Sequence, residues 1–335
     1  MRAAIYGPAG PELAPDETAF FREAEPAGYI LFRRNCVDQE QMLRLTDSLR
    51  DLSGRGDLPI LIDQEGGRVA RMRPPVWPSF PPGEAFARLY EAAPSSAIEA
   101  ARSNARAIGL TLRSVGVNVD ALPLLDVRQE GAHDIIGDRA LGSEPMQVAA
   151  LGRAVLDGLA SAGVVGIIKH IPGHGRALAD SHVELPIVNA SLDELEVDLE
   201  PFERLRNAPM GMTSHVLYTA WDPERPASMS PFIIEEIIRG RIGFDGFLMS
   251  DDIGMEALAG DFSQRAAGVI AGGCDVALHC SGDMAEMEAV ASAVPELSVE
   301  SEARLARAMA SVLVDQDGPD LAEVTAKRDA LLALV

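Results

Sequence analysis

The chain has 335 residues, of which 47 % are hydrophobic and 24 % charged, the balance of a globular protein with a sizeable core rather than a disordered one. Its 29 basic and 51 acidic residues leave a formal charge of −22, which argues against nucleic acid or an anionic membrane as partner, since both are bound through clustered Lys and Arg. The first ten residues, MRAAIYGPAG, lack the apolar core of a secretion signal, and no run reaches the ~18 apolar residues of a membrane span.

Cys36, Cys274 and Cys280 make an odd count with no CxxC pair. They read as reduced thiols, so a cytoplasmic location is expected. Short β-branched or apolar runs occur at 3–6, 29–32, 59–62, 117–125, 164–169, 211–215, 246–249 and 275–279. Most are followed by a helical pattern. Between the third and fourth runs Ile98, Ala101, Ala105, Ile108, Leu112 and Val115 fall on one helical face. Ser96 and Glu99 have capping-box spacing at its start, and Gly116 follows its end. Ser191 and Glu194 open a second helix carrying Leu192, Leu195, Leu199 and Phe202 on its apolar face. Ser230 and Pro231 open a third, expected to end at Gly240.

Eight strands alternating with helices predict one (β/α)8 TIM-type barrel over residues 1–335, with a doubly wound open sheet as the alternative. No GxGxxG or GxxxxGK[ST] loop follows any strand, which weakens a nucleotide-binding reading. Barrel chemistry sits at the C-terminal ends of strands. Asp63, Asp126, Lys169 with His170, His215, Asp251 with Asp252, and His279 all fall at such ends. They are expected to ring one mouth.

Three segments carry the chemistry. After the fifth run comes KHIPGHG (169–175), followed by Asp180, Ser181 and His182. Its glycines and proline make an irregular loop, in which Asp180 can hold the His182 imidazole two residues away as a general acid/base pair. A zinc site would instead call for His-x-His on a strand or HExxH on a helix, and neither is present. The seventh run delivers Asp251 and Asp252. Asp251 is read as nucleophile or base and Asp252 as the cap of a helix beginning at Ile253. The third run ends in Asp63-Gln64-Glu65-Gly66-Gly67-Arg68 and continues to Arg71, a set suited to sugar hydroxyls, with Glu65 an alternative catalytic acid. Arg139 in the loop after Asp126 suits either a neighbouring carboxylate or a ligand.

The segments IDQEGGRVAR, LLDV, IGDRALGSEP, KHIPGHGRALADSH, MTSHV, RPASMS and GFDGFLMSDDIGME, in this order between about Tyr29 and Ser281, resemble those of the β-N-acetylhexosaminidases of glycoside hydrolase family 3. The most specific block is KHxPGHG…DSH, which in that family encodes a His–Asp acid/base where a glutamate is usual. The resemblance implies a short, single-barrel enzyme of bacterial cell-wall recycling. It would retain anomeric configuration, need no cofactor or metal, and cleave terminal non-reducing β-linked N-acetylglucosamine from small glycans such as muropeptides (GlcNAc-1,6-anhydroMurNAc-peptides). It makes Asp251 the nucleophile and His182 the acid/base oriented by Asp180, with Asp63, Arg71, Arg139, Lys169 and His170 holding the sugar. Departures are Ile171 where an aromatic is usual, Arg176 at a variable position, and NVDALP at 118–123. Two rivals stand beside this reading, a metal-dependent amidohydrolase on the same barrel and a non-catalytic sugar-binding barrel. Nothing in the motifs bears on oligomeric state.

Overall fold

The computed structural model describes residues 1–312 and 317–335. Eight parallel strands close a barrel in chain order: β1 (Arg2–Tyr6), β2 (Pro26–Leu31), β3 (Ile60–Ile62), β4 (Val119–Asp120), β5 (Val165–Ile171), β6 (Met210–Thr213), β7 (Phe247–Asp252) and β8 (Val276–His279), which pairs back onto β1. Each of the eight apolar runs overlaps one of these strands. Most are buried along their whole length rather than on alternate residues, because a barrel strand is covered by helices outside and by packed side chains inside. All six residues of β2 and all seven of β5 are buried.

Helices cover the barrel, and their ends differ from the expected ones in instructive ways. The helix of the third crossover spans Pro94–Arg113, with Ala93 as its cap. Ser96 therefore lies inside the first turn. Pro94 opens the helix, as its fixed φ and missing N–H allow at a first position, and Glu99 pairs with Arg102 and Lys327 instead. Ser191 and Glu194 do form the expected capping box on the helix Leu192–Arg204. The helix opened by Ser230 runs as a π-helix over Ile233–Ile242 and stops at Gly243, whose φ of 73° suits glycine, not at Gly240. Among the described residues no helix is long and apolar enough to cross a membrane.

Two local devices shape the C-terminal end of the barrel. After β3 the chain folds into a hairpin, Gln64–Gly66 against Val69–Ala70. Its turn is made by Gly66 and Gly67 at φ 99° and 56°. The buried Gln64 amide fastens the return strand by accepting from the N–H groups of Arg71 and Met72 and donating to the Met72 carbonyl. This brings Arg71 back over Asp63. In β5 the register against β6 shifts between Lys169 and Ile171. Neighbouring residues of a regular strand face opposite sides, and the irregularity lets both Lys169 and His170 serve the barrel mouth.

Candidate active site

A cavity of about 330 Å³ opens at the C-terminal end of the barrel. Asp63, Glu65, Arg71, Arg139, Lys169, His170, His174, His182, Asp251 and Asp252 contribute to its walls. Phe32, Met212 and Leu278 add apolar surface to them.

One side is a closed ionic lattice. The Asp63 carboxylate accepts from Arg71 Nη2 at 2.9 Å and from Lys169 Nζ at 3.0 Å. Lys169 Nζ also lies 2.6 Å from Glu65 Oε1. Glu65 in turn accepts a two-pronged bond from Arg139 Nε and Nη2, both at 2.9 Å. Burial works against both carboxylates, but Lys169 and Arg71 outweigh it at Asp63 and keep it ionised well below the usual range. Arg139 and Lys169 do the same at Glu65, which ionises near 2. Burial likewise works against Lys169, and Glu65 and Asp63 overcome it and raise its pKa. A general acid must hold a proton near neutral pH, so Glu65 is not the catalytic acid. Arg139 pairs a carboxylate and faces the cavity as well. Asp120 lies within reach of this lattice, and burial pushes its pKa well above the usual carboxylate value.

Removing Glu65's charge leaves Lys169 and Arg139 short of a partner in a buried place. Glu65→Gln is expected to cost about 3–5 kcal/mol of stability at neutral pH, read by urea unfolding. The pH dependence follows from the lowered pKa. Stability from Glu65 is fully present above the unfolded value of 4.5 and is lost as pH falls through about 2. The variant should lack that share of the acid-side loss. Equal stability of the two proteins at pH 7 would contradict the lattice as drawn.

The opposite side carries Asp251, at the end of β7 and 7 % exposed. Burial opposes its charge, but His170, His215, the Asp252 N–H and Lys169 together outweigh burial and lower its pKa. Its Oδ1 accepts the Asp252 N–H at 2.8 Å, leaving the other oxygen for chemistry. No helix begins at Ile253. Asp252 is the last residue of β7, and its Oδ1 accepts the Gly254 N–H in a turn; the next helix, Phe262–Gly272, is capped by Asp261. Asp252 therefore anchors a turn, not a helix. Burial, then the charge of Asp251, raises its pKa.

Above these groups the loop after β5 carries Asp180, Ser181 and His182. His182 Nδ1 lies 2.8 Å from Asp180 Oδ1, and the His182 backbone N–H donates to the same oxygen at 2.9 Å. Asp180 thus fixes the ring and leaves Nε2 outward. Burial works against ionised Asp180, and the two His182 bonds and the His182 charge win, so its pKa is lowered. The loop is pinned at its root. Gly175 has no room for a Cβ, because the Val127 carbonyl oxygen lies there, and Arg176 binds the buried Asp198 at 2.5 Å.

The expected ring of strand-end groups is only partly a ring. Asp63, Lys169, His170, Asp251 and Asp252 reach the cavity. Asp126 and His215 lie beneath it. His215 is fully buried, with Nδ1 2.7 Å from Ser228 Oγ and Nε2 3.0 Å from the Asp252 carbonyl. His279 is turned away, packed edge-on against Tyr6 and Phe262 and 3.0 Å from Glu286. Sequence reasoning left Asp126, His174 and His215 without roles, although all three lie in the motif segments. Among the described residues no three His, Cys, Asp or Glu side chains converge as a metal site would require.

The model for the glycosyl hydrolase family 3 N-terminal domain matches residues 13–314. The β-hexosaminidase of Methylococcus capsulatus is 40 % identical over 277 residues, 81 % of this chain and 80 % of that one. That of Aromatoleum aromaticum is 37 % identical over 302 residues, 89 % of this chain and 84 % of the other. The crystal structure of NagZ from Neisseria gonorrhoeae in complex with N-trifluoroacetyl-D-glucosamine superposes with a TM-score of 0.87 at 30 % identity, covering 99 % of this chain and 98 % of that one. With its eight-stranded barrel, its charged mouth and these relatives, the chain belongs to glycosyl hydrolase family 3.

Proposed function

We propose that this chain is a retaining β-N-acetylglucosaminidase in which Asp251 is the nucleophile and His182, oriented by Asp180, the acid/base. The observation that carries the reading is the placement of two differently built groups in one cavity. Asp251 is a buried carboxylate kept ionised, and His182 is an imidazole with 60 % of its side chain exposed, so the two sit at different depths of the same space. A sugar between them would have its anomeric carbon toward Asp251 and its glycosidic oxygen toward His182.

In the first step an Asp251 oxygen forms a bond to the anomeric carbon as the glycosidic bond breaks. The His182 Nε2 proton passes to the departing oxygen. Asp180 stabilises the protonated ring before transfer. In the second step His182, now neutral, takes a proton from water, which displaces Asp251 and restores the β configuration. Asp63, Arg71, Arg139, Lys169 and His170 supply acceptors and donors for the sugar hydroxyls. A lattice already balanced by its own ion pairs offers fixed dipoles that need no rearrangement when charge develops.

An imidazole suits this cavity because Asp63, Glu65, Asp251 and Asp252 already place four carboxylates in its walls, and a fifth would raise their repulsion. It equally suits an aglycone bearing a carboxylate. This favours muropeptide fragments as natural substrate, and the free thiols of Cys36, Cys274 and Cys280 favour the cytoplasm as the place of action. The gonococcal relative was solved with an N-acylated glucosamine, the class of sugar proposed here for the terminal position.

The reading is tested by following hydrolysis of an aryl N-acetyl-β-glucosaminide by NMR. β-N-Acetylglucosamine should be the first product, and the matching β-glucoside should be slower by roughly 10²–10⁴-fold in kcat/KM, since polar groups built to meet a substituent are left unpaired without it. An α first product would contradict retention, and equal rates would contradict the choice of sugar. Activity should also survive exhaustive chelation. Loss with EDTA that zinc restores would favour the amidohydrolase.

A further inference from the structure

Asp126 lies beyond the end of β4, just after the bridge between Leu124 and Lys169, fully buried, and takes part in no step written above. Its carboxylate faces the backbone N–H and the imidazole of His170 in β5 and the backbone N–H of His174 in the loop that follows. Oδ2 lies 2.7 Å from His170 Nδ1, and Oδ1 accepts the backbone N–H of His170 at 3.2 Å and of His174 at 2.6 Å. We infer that Asp126 is a positioning residue for the glycosidase reaction, fixing His170 with Nε2 toward the sugar and Asp251 and fixing the start of the loop that carries His182.

The chain of contacts supports this. With Nδ1 engaged by Asp126, the nitrogen His170 offers the cavity is Nε2, which is not among the buried polar atoms lacking a partner. Burial opposes Asp126's charge, and the charge and hydrogen bond of His170, followed by the His174 backbone N–H, outweigh it and hold the carboxyl near 2. An ionised acceptor fixes a ring more firmly than a neutral one. Asp251 is faced by His170 and Lys169 from β5, by His174 from the following loop, by His215 from beyond β6 and by Asp252 on its own strand. His174 does not substitute for His170, because burial, then the charge of His170, lowers its pKa to about 4 and leaves it neutral. This assigns two carboxylate–imidazole pairs to the cavity. Asp180–His182 is exposed and moves protons; Asp126–His170 is buried and holds position. The proposal rests on Asp251 and His170 having the roles given above.

The experiment compares Asp126→Asn, His170→Gln and the double variant, with kcat/KM measured across pH on an aryl N-acetyl-β-glucosaminide. Asn keeps an acceptor oxygen but not the charge. Asp126→Asn is expected to lose roughly 10–100-fold, as when an imidazole loses its carboxylate partner elsewhere. The acid limb, which reports ionisation in the free enzyme, should move to higher pH in His170→Gln, because His170 is the first of the groups that lower the Asp251 pKa. The double variant should be no worse than His170→Gln, because Asn still offers the His174 N–H an acceptor and Asp126 otherwise acts through that ring. Multiplying losses with an unmoved acid limb would overturn the inference. A second measurement needs no Asp126 variant: nitrogen-15 NMR of the unaltered protein should show His170 protonated at Nδ1. A His170 bearing its only proton on Nε2 would overturn it as well. If the unaltered enzyme does not hydrolyse the aryl glycoside at all, the proposed function fails, a result distinct from either outcome.

Discussion

Asp251→Ala should lose roughly 10⁴-fold or more in kcat, the scale on which enzymes lose activity with their nucleophile, while Asp252→Asn should stay within about tenfold. The two neighbours differ in environment, not in type. Asp251 faces the cavity with one free oxygen and has a lowered pKa, because His170, His215, the Asp252 N–H and Lys169 outweigh burial. Asp252 has a pKa raised first by burial and then by Asp251, and it bonds the turn through Gly254. A carboxyl whose pKa is raised and whose oxygen is engaged by a turn N–H is the poorer nucleophile of the two. Azide should partly rescue Asp251→Ala by entering the vacated space and attacking the anomeric carbon directly, giving the α-glycosyl azide. Comparable losses in the two variants, or a severe loss in Asp252→Asn alone, would move the nucleophile to the neighbour.

His182→Ala should show an effect that depends on the leaving group. A poor leaving group needs a proton to depart and a good one does not. Cleavage of a disaccharide should fall by roughly 10²–10⁴-fold, the range of general acid catalysis, and cleavage of a dinitrophenyl glycoside much less. With the activated substrate the slow step becomes release of the sugar from Asp251, since the same ring must activate water. A burst of phenol should therefore precede a slow steady rate, and azide should speed that rate because it needs no base. Asp180→Asn should give a weaker version, as the ring remains but loses the charge beside Nδ1. Equal slowing of both substrates, without burst or rescue, would show that His182 is not the acid/base.

What the sequence discloses here follows from distance along the chain. The eight strands are legible because a fully covered strand must be a short apolar run. Asp180 and His182 are legible as a pair because they are two residues apart in one loop. The Asp63–Lys169 and Asp126–His170 bonds span 106 and 44 residues, and no local pattern announces them. Glu65 shows the limit in another way. A glutamate in a glycine-rich turn is an open candidate for acid catalysis, and only the arrival of Arg139 from 74 residues away settles it as an ionised partner. The Ser96–Glu99 spacing misleads because Pro94 starts the helix first. His279 misleads because the strand ends that look alike in sequence differ in which way the side chain turns, here toward Phe262 and Glu286.

Retention alone does not single out Asp251, because a sugar carrying a 2-acetamido group can supply its own nucleophile and still retain configuration. The central claim is covalent attachment to one carboxylate. The direct measurement is to trap the intermediate with a fluorinated N-acetylglucosaminyl fluoride, digest the protein and sequence the labelled peptide by mass spectrometry. The account predicts one sugar per chain, on Asp251. A label on Asp252 or Glu65, or turnover of the reagent with no label at all, would contradict it.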